Sequence, residues 1–300
     1  MPLIQLTDIT LYPDEHLLQQ SVEKVGSGLF GKLGLGTRPD DNVRHKQPAP
    51  PLPKPILDNL TLTIRHHETL ALLGPSGSGK STLIKIIAGL IKPTSGTISY
   101  NGQDMANVPP RERRIGMVFQ QQALYQNMTS EENIGFYYEL RGQPEQIPQR
   151  IRDVSRLMDV DLEPLLARRP PKLSGGERQR IAIARALARE VDIFLFDEPL
   201  SHLDPPLRIH LRGSMHRVFI MHPVTTVYVT HDQTEAMALA DRIAILRDGK
   251  IEQIGTTAEL FQRPHNTFVA DFFGNCNLLP GFIRGDRWQL GDVILYPPPA

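Results

Sequence analysis

The residues best suited to chemistry lie in one glycine-rich segment, GPSGSGKST, at positions 74–82. An apolar run at 69–73 precedes it and an amphipathic stretch follows from Ser81, so we predict a strand, a tight loop and a helix. Glycines let backbone N–H groups turn toward phosphate oxygens, and the start of a helix adds partial positive charge. The G-x-x-x-x-G-K-[ST] spacing therefore predicts a nucleoside triphosphate site and disfavours the alternative, a glycine turn before an ordinary helix.

We call residues 74–82 the phosphate loop and expect all of them to surround the phosphates. Lys80 is expected to reach the outer phosphates and to act in catalysis, while the Ser81 hydroxyl is expected to bind Mg²⁺. The complete predicted set is Gly74, Pro75, Ser76, Gly77, Ser78, Gly79, Lys80, Ser81 and Thr82.

Polar residues also follow three other apolar stretches that we predict to be strands. Gln120 ends the first, and Asp197 with Glu198 ends the second. His231 ends the third. Open α/β sheets bind their ligands at the carboxyl ends of their strands, so we expect these side chains to meet the phosphate loop at one sheet edge.

The carboxylates are costly at the mouth of a buried strand unless a positive charge lies nearby, and Mg²⁺ beside a triphosphate supplies one. We expect Asp197 to orient the metal shell and Glu198 to polarise the attacking water. His231 is expected to donate to a γ-phosphate. The alternatives are a turn that caps the next helix for the carboxylates, and structural roles for the histidine and for Gln120.

A second turn suited to anions is LSGGE, residues 173–177. Ser174 and Glu177 form a capping box for a long helix, and Gly175 and Gly176 let the backbone approach a ligand closely. Because the turn carries no lysine, it would hold a triphosphate poorly by itself. We hypothesise that it completes the phosphate site of another copy, head to tail; the alternative is only a well-capped helix.

Composition limits the function classes. The chain has 300 residues, is 40% hydrophobic and carries 33 basic and 33 acidic side chains, so no net charge favours nucleic acid or an anionic membrane. The single cysteine, Cys276, excludes an intramolecular disulfide. We find no apolar run of about 18 residues and expect no leader, so a membrane role would be exercised from the cytoplasmic side through a partner.

Several stretches are expected to connect these motifs. Residues 3–10 alternate as a half-buried strand does, and Tyr12 follows them. The glycine- and proline-rich stretch 21–55 is expected to be a linker-like surface insertion, with a partner- or membrane-contacting role as the less favoured alternative. Its GSGLFG at 26–31 matches G-x-G-x-x-G, but we reject a dinucleotide site because no strand precedes it and no periodic helix follows.

Turn residues predict local pairing. Asn101-Gly102 and Asp248-Gly249 predict hairpins. His66-His67 is expected in a turn between two paired strands, after a strand over 56–64. The basic run at 109–114 is expected to be a solvated face.

These motifs, in this order, resemble those of the ATP-binding subunits of ATP-binding cassette (ABC) transporters. The phosphate loop resembles the Walker A motif, Gln120 the Q-loop glutamine and LSGGE the family signature. IFLFDE, which ends at Glu198, resembles the Walker B motif; Asp204 falls in the D-loop and His231 at the switch position. The resemblance covers Ile4 to Phe273 apart from the insertion. The sequences of the motifs are most similar to those of importer subunits for sugars, polyamines and ferric iron.

The resemblance implies an α/β fold, a P-loop NTPase core with a RecA-like mixed sheet, an antiparallel β subdomain and an inserted helical subdomain. It implies ATP and Mg²⁺ as cofactors, with Gln120 joining Ser81 and Asp197 at the metal. Tyr12 is the counterpart of the aromatic residue that stacks on adenine in this family.

The resemblance also implies partners. Two cassettes would close head to tail on two ATP molecules, each held by the phosphate loop of one copy and, from the other copy, by Ser174, Gly175, Gly176, Glu177 and Asp204. The expected partners are a second copy or a paralogous cassette, integral-membrane permease subunits and, for an importer, a solute-binding protein; no nucleic acid is expected. The subunit is expected at the cytoplasmic face of the inner or plasma membrane, with residues 120–128 gripping the permease's coupling helix.

We predict one ABC ATP-binding domain at 1–270, with the insertion at 13–55 and a helical subdomain at 122–188 that opens with a capping box at Thr129. Residues 271–300 resemble the start of a truncated OB-like regulatory domain, with a hairpin at Gly285. Two other classes stay open: a soluble cassette ATPase in DNA repair or translation, and an exporter cassette. A P-loop kinase or GTPase is disfavoured because it would lack LSGGE.

Overall fold

The computed structural model describes residues 3–13, 53–121, 123–201, 203–221, 223–274, 276–285, 287–290 and 293–295. The predicted insertion at 13–55, with its GSGLFG segment, therefore lies outside the described residues except at its two ends. The domain boundaries stay predictions.

The described strands, in chain order, are β1 (Ile4–Leu11), β2 (Leu57–Ile64), β3 (Thr69–Leu73), β4 (Ser95–Tyr100), β5 (Gln103–Asp104), β6 (Ile115–Val118), β7 (Ile193–Asp197), β8 (Thr225–Val229), β9 (Arg242–Arg247), β10 (Lys250–Gly255), β11 (Phe282–Arg284), β12 (Arg287–Leu290) and β13 (Val293–Leu295). The described α-helices are α1 (Lys80–Ala88), α2 (Ser130–Glu139), α3 (Ile147–Met158), α4 (Glu163–Leu166), α5 (Gly175–Ala188), α6 (Pro205–Met221), α7 (Gln233–Leu239), α8 (Thr257–Gln262) and α9 (Thr267–Gly274).

A mixed six-stranded sheet in the order β10-β9-β3-β8-β7-β6 forms the centre of the fold. Its strands from β9 to β6 are parallel, and only β10 pairs antiparallel, through the hairpin predicted at Asp248-Gly249. Every residue of β3, β7 and β8 is buried, which explains their continuous apolar runs, since a central parallel strand is covered on both faces. The predicted α/β architecture is confirmed.

An antiparallel sheet in the order β2-β1-β4-β5 packs beside the core. Its β1 and β2 alternate buried and exposed residues because one face is solvated. The prediction that His66-His67 joins two paired strands is wrong: β2 pairs with β1 in this sheet, whereas β3 pairs with β8 and β9 in the central sheet. The connection therefore passes from one sheet to the other.

Helices α2 to α5 form a layer inserted between β6 and β7. Helix α3 buries Ile147, Ile151, Val154 and Met158, a spacing that places them on one face. The capping boxes predicted for α2 at Thr129 and for α5 at Ser174 are both present. Their side chains fix where these two helices begin, and α2, α3 and α5 share one apolar core.

The basic run at 109–114 contains one residue that contradicts the predicted solvated face. Arg113 is buried, and its guanidinium donates to the carbonyls of Val108, Ile87 and Met105 at 3.0, 2.8 and 2.7 Å. It thereby satisfies a carbonyl near the end of α1, which a helix leaves without an intrahelical partner. Arg111, two residues earlier, is exposed as predicted.

The C-terminal residues form a small antiparallel sheet, β11-β12-β13. Its first turn contains Gly285 at φ 64°, which matches the predicted hairpin. The hairpin predicted at Asn101-Gly102 joins β4 to β5. Within the described ranges, the longest and most apolar helices fall short of what is needed to cross a bilayer.

Candidate active site

The ends of four neighbouring strands bring the predicted residues together. Strands β3, β8, β7 and β6 lie side by side and run parallel, so their carboxyl ends share one edge. The phosphate loop follows β3, His231 follows β8, Asp197 ends β7 and Gln120 follows β6. The predicted convergence is confirmed; the roles of the individual side chains stay predictions.

The phosphate loop is shaped by close backbone packing. A Cβ at Gly74 would lie 2.1 Å from the carbonyl oxygen of Leu246, so no larger residue fits there. Gly79 has φ 101°, a conformation that favours glycine, and it leads directly into α1. Pro75, Ser76 and Gly77 are exposed at the tip of the loop.

The Lys80 ammonium lies over this loop. Its Nζ donates to the carbonyl oxygens of Gly74 and Pro75 at 2.8 and 2.9 Å. Burial lowers the pKa of Lys80, while the nearby Glu198 and Asp197 carboxylates raise it. These bonds keep the ammonium beside the backbone that is expected to surround phosphate oxygens.

Ser81 and Asp197 form an oxygen pair beside the loop. The Ser81 hydroxyl donates to Asp197 Oδ1 at 2.8 Å. Asp197 is buried at the end of β7, and burial is the main cause that raises its pKa; the Ser81 hydrogen bond opposes this. A nearby divalent cation would stabilise the ionised carboxylate in this position.

Glu198 is the centre of a second group. Its Oε2 lies 3.1 Å from His231 Nδ1 and accepts a hydrogen bond from Gln120 Nε2 at 3.4 Å. Its backbone has φ 45°, which costs free energy for a residue with a Cβ, and its N–H donates to the Val229 carbonyl at 3.0 Å. The strand end thus holds this carboxylate in a strained and specific position.

In the LSGGE turn, two side chains form hydrogen bonds with the backbone of the same turn. Ser174 Oγ accepts from the Glu177 N–H at 3.2 Å, and Glu177 Oε2 accepts from the Ser174 N–H at 2.7 Å. The Ser174 backbone bond is the main cause that lowers the pKa of Glu177. A Cβ at Gly175 would meet nothing within 4 Å, so the backbone there is open, whereas Gly176 packs against Leu207. Among the described residues, no hydrogen bond or ion pair joins this turn to the phosphate loop.

Two other predicted residues lie apart from the strand ends. Asp204 is exposed and accepts from the Leu207 N–H at 3.3 Å, which caps α6. Tyr12 follows β1, its side chain is exposed, and its N–H donates to Thr94 Oγ1 at 3.2 Å. Neither position contradicts the predicted contacts with ATP, which stay predictions.

Comparison with known proteins decides which nucleotide-binding family this is. The ABC transporter family matches residues 57–201. The sn-glycerol-3-phosphate import ATP-binding protein UgpC of Salmonella choleraesuis (strain SC-B67) is 44% identical over 247 residues, which cover 81% of this chain and 69% of that protein. UgpC of Brucella abortus biovar 1 (strain 9-941) is 46% identical over 245 residues with the same coverage. The chain belongs to the ABC transporter family.

Solved structures agree with this assignment. The dimeric structure of MJ0796, a bacterial ABC transporter cassette, matches with a TM-score of 0.65 at 28% identity and covers 84% of this chain and 98% of the cassette. The same cassette in a post-hydrolysis state bound to ADP and Pi matches with a TM-score of 0.64 at 25% identity, again over 84% and 98%. As a member of the ABC transporter family, the present protein is an ATP-hydrolysing subunit of a transporter.

Sequence reasoning missed one buried residue of this ABC cassette, Glu235. It lies one turn into α7, next to the strand end that carries His231, and is 3% exposed. A glutamate in the first turn of a helix is ordinary because it complements the helix dipole, so its position gave no signal. Its burial is set by tertiary packing.

Proposed function

We propose that this ABC protein is the ATP-hydrolysing subunit of an importer for a small solute. The observation that carries the hydrolytic part is the meeting of Lys80, Ser81, Asp197 and Glu198 at one sheet edge. The importer part rests on the relatives named above, which are import ATP-binding proteins. The solute of those relatives, sn-glycerol-3-phosphate, indicates the size class rather than the cargo of this chain.

Mg²⁺ is the metal that the residues fit. Ser81 and Asp197 offer a hydroxyl and a carboxylate, the hard oxygen ligands that Mg²⁺ prefers, and these two oxygens already lie 2.8 Å apart. We propose that they bind Mg²⁺ with ATP, with Gln120 as a further ligand from the end of β6. The ion would neutralise charge on the outer phosphates.

Hydrolysis is then divided among neighbouring side chains. Glu198 accepts a proton from the attacking water, because its carboxylate points to the phosphate edge and is held by Gln120 and His231. His231 and Lys80 stabilise the negative charge of the transferred phosphoryl group. The phosphate loop binds the phosphates through its backbone N–H groups, and Tyr12 stacks on the adenine.

The second half of each site comes from another copy. Ser174 to Glu177 offer helix N–H groups at an exposed turn, and no hydrogen bond or ion pair among the described residues joins them to the phosphate loop. We therefore propose a head-to-tail dimer in which the LSGGE turn and Asp204 of one copy close over the ATP of the other. In the closed dimer each ATP would contact both copies, whereas in the open state it would contact only one. ATP therefore binds the closed state more tightly and favours closure.

The permease would dock in a groove beside β6 and the loop that follows it. The groove has a volume of about 580 Å³ and is lined mainly by apolar and aromatic side chains, together with three arginines. The apolar and aromatic residues include Met117, Phe119, Tyr125, Tyr137 and Leu140. Leu140 is 72% exposed, so an apolar partner that covers it gains free energy. We propose that a short helix of a membrane permease occupies this groove at the cytoplasmic face of the membrane, in an assembly with a solute-binding protein.

Replacement of Glu198 by glutamine tests the hydrolytic part of the proposal. The variant should bind Mg·ATP normally, form a stable dimer and lose about 10²- to 10⁴-fold in turnover, since only the base is removed. Glu190→Gln is the control, because Glu190 is an exposed carboxylate paired with Arg150. Turnover of Glu198→Gln within a few-fold of the parent protein would remove Glu198 as the base.

The protein that purifies with the native complex tests the importer part. Permease subunits together with a solute-binding protein support it, permease subunits that work without one indicate an exporter cassette, and bound nucleic acid indicates a soluble ATPase of repair or translation.

A further inference from the structure

A buried carboxyl, that of Glu235, is bound to the residue that precedes His231. Glu235 Oε2 accepts hydrogen bonds from the hydroxyls of Tyr228 and Thr230, each at 2.9 Å. All three side chains are nearly inaccessible to water. Polar groups removed from water need such partners, so the three satisfy one another at the carboxyl end of β8.

The Thr230 hydroxyl connects this carboxyl to the chain on both sides of His231. It donates to Glu235 and accepts from the Asp232 N–H at 3.0 Å. The Asp232 carboxylate in turn accepts from the N–H groups of Thr234 and Glu235 at 2.7 and 3.3 Å. The residues before and after the histidine are thereby fixed to the first turn of α7.

The His231 side chain has little other support. It is 57% exposed, and its hydrogen-bond partner among the described residues is the Glu198 carboxylate. Its position therefore depends on the backbone that Thr230 and Asp232 hold. A shift of that backbone by about 1 Å would move the imidazole out of reach and cost about 100-fold in rate.

The arginine Arg208 holds the segment that leads to Asp204. Arg208 donates to the carbonyls of Ser201 and Leu203 at 3.3 and 3.1 Å. Burial is the main cause that raises the pKa of Glu235; the Thr230 and Tyr228 hydroxyls and the Arg208 guanidinium lower it.

We propose that Glu235 is a positioning residue for ATP hydrolysis, which fixes, through the Thr230 hydroxyl, the backbone that holds His231 against Glu198. This rests on the proposed roles of His231 and Glu198. A side chain that only filled the core would be apolar at lower cost, because burying a carboxyl is unfavourable. One of the two hydrogen bonds that Glu235 accepts comes instead from Thr230, the residue before the histidine.

Thr230→Val is the first test, because it removes the hydroxyl and keeps the shape. We expect kcat for ATP to fall about 10- to 100-fold with KM changed less than about threefold, and Thr230→Ser to restore most of the rate. The matched control is Thr226→Val, on the same strand, where the buried hydroxyl donates to the Val224 carbonyl at 3.0 Å. It should lower the melting temperature about as much and leave kcat within about twofold.

A double-mutant cycle then separates positioning from a structural role. Glu235→Leu should lower kcat in the parent protein and change it less than about twofold in the His231→Ala background, because the two residues act as one unit. Equal losses in both backgrounds, or a loss of rate in Thr226→Val equal to that in Thr230→Val, would overturn the proposal. If Glu235→Leu does not fold, Thr230→Val takes its place in the cycle.

A wrong role for His231 would give a different result in the same kcat measurements. If His231→Ala itself leaves kcat unchanged, the proposed role of His231 is wrong and the positioning role fails with it. If His231→Ala lowers kcat and the Glu235 effect is additive, only the positioning role is wrong.

Discussion

The change Ser174→Ala separates a helix cap from a contact with a second copy. Ser174 Oγ accepts the Glu177 N–H, which uses one lone pair of the hydroxyl. The hydroxyl proton faces the Glu177 carboxylate in the same turn, and we expect it to turn to a phosphate oxygen when the ATP of the other copy is bound. Alanine removes both interactions.

The two losses differ in size. Loss of the cap costs about 1 kcal/mol of stability, which lowers the melting temperature by roughly 2 °C in a protein of this length. A hydrogen bond from the hydroxyl to a charged phosphate oxygen contributes about 1.5–3 kcal/mol. Its loss should weaken ATP-dependent closure, and with it turnover, by about 10- to 150-fold at each site.

Thr129→Ala is the matched control. Thr129 caps α2 with the same box: its hydroxyl accepts the Glu132 N–H at 3.2 Å and the Glu132 carboxylate accepts the Thr129 N–H at 2.6 Å. This variant loses the cap alone, so its melting temperature should fall as in Ser174→Ala while its turnover stays within about twofold. Steady-state ATPase rates at several protein concentrations measure the turnover.

The dimer is measured in a Glu198→Gln background. Light scattering after gel filtration with Mg·ATP should show a dimer with Thr129→Ala and mainly monomer with Ser174→Ala. If both variants hydrolyse ATP equally well and both dimerise, the LSGGE turn is only a helix cap and the composite site is wrong.

Two further outcomes follow from the groove and from Asp197. Leu140→Glu places a charge on the exposed groove residue and should cut ATP hydrolysis coupled to the permease by about tenfold or more, since burying a charge is costly. The control is Phe261→Glu, because Phe261 is exposed on α8. Equal coupling in both variants would contradict the docking site. Asp197→Asn should leave the stability of protein prepared without nucleotide unchanged or raised at about pH 7. Burial raises the pKa of Asp197, so the folded state holds a proton more tightly than the unfolded state. The stability that this proton contributes is lost as the pH rises through the raised pKa. Urea denaturation between about pH 4 and pH 8 measures it, and parent stability that rises with pH relative to the variant would contradict the sign.

The edge of the sheet could be predicted because its signal is local. Each strand is a buried or nearly buried run, and its polar residue lies at the end of the strand or two residues after it: Asp197, Gln120 and His231. Parallel pairing then places the ends together without further information. The error at His66-His67 arose where the signal is not local, since the sheet that a strand joins depends on what covers its faces.

Arg113 and Glu235 show a second limit. Arg113 lies in a basic run that is otherwise exposed, and Glu235 lies in a first helical turn where acids are common. Both are held by specific partners that the fold supplies: the Ile87 and Met105 carbonyls for the arginine, and the Tyr228 and Thr230 hydroxyls for the glutamate. Nothing in the neighbouring residues distinguishes them from solvated charges.

Arg185 links the groove to the loop that carries Gln120. Arg185, in the helix that begins with the LSGGE turn, donates from Nη1 to the Ala123 carbonyl at 2.7 Å, and its guanidinium lies 5.8 Å from the Tyr125 ring centroid. Ala123 and Tyr125 line the groove, three and five residues after Gln120. A partner in the groove therefore contacts the loop that carries Gln120 and the helix that carries LSGGE at once. Because those two segments serve different ATP molecules in a head-to-tail dimer, one docking event can act on both halves of the composite site.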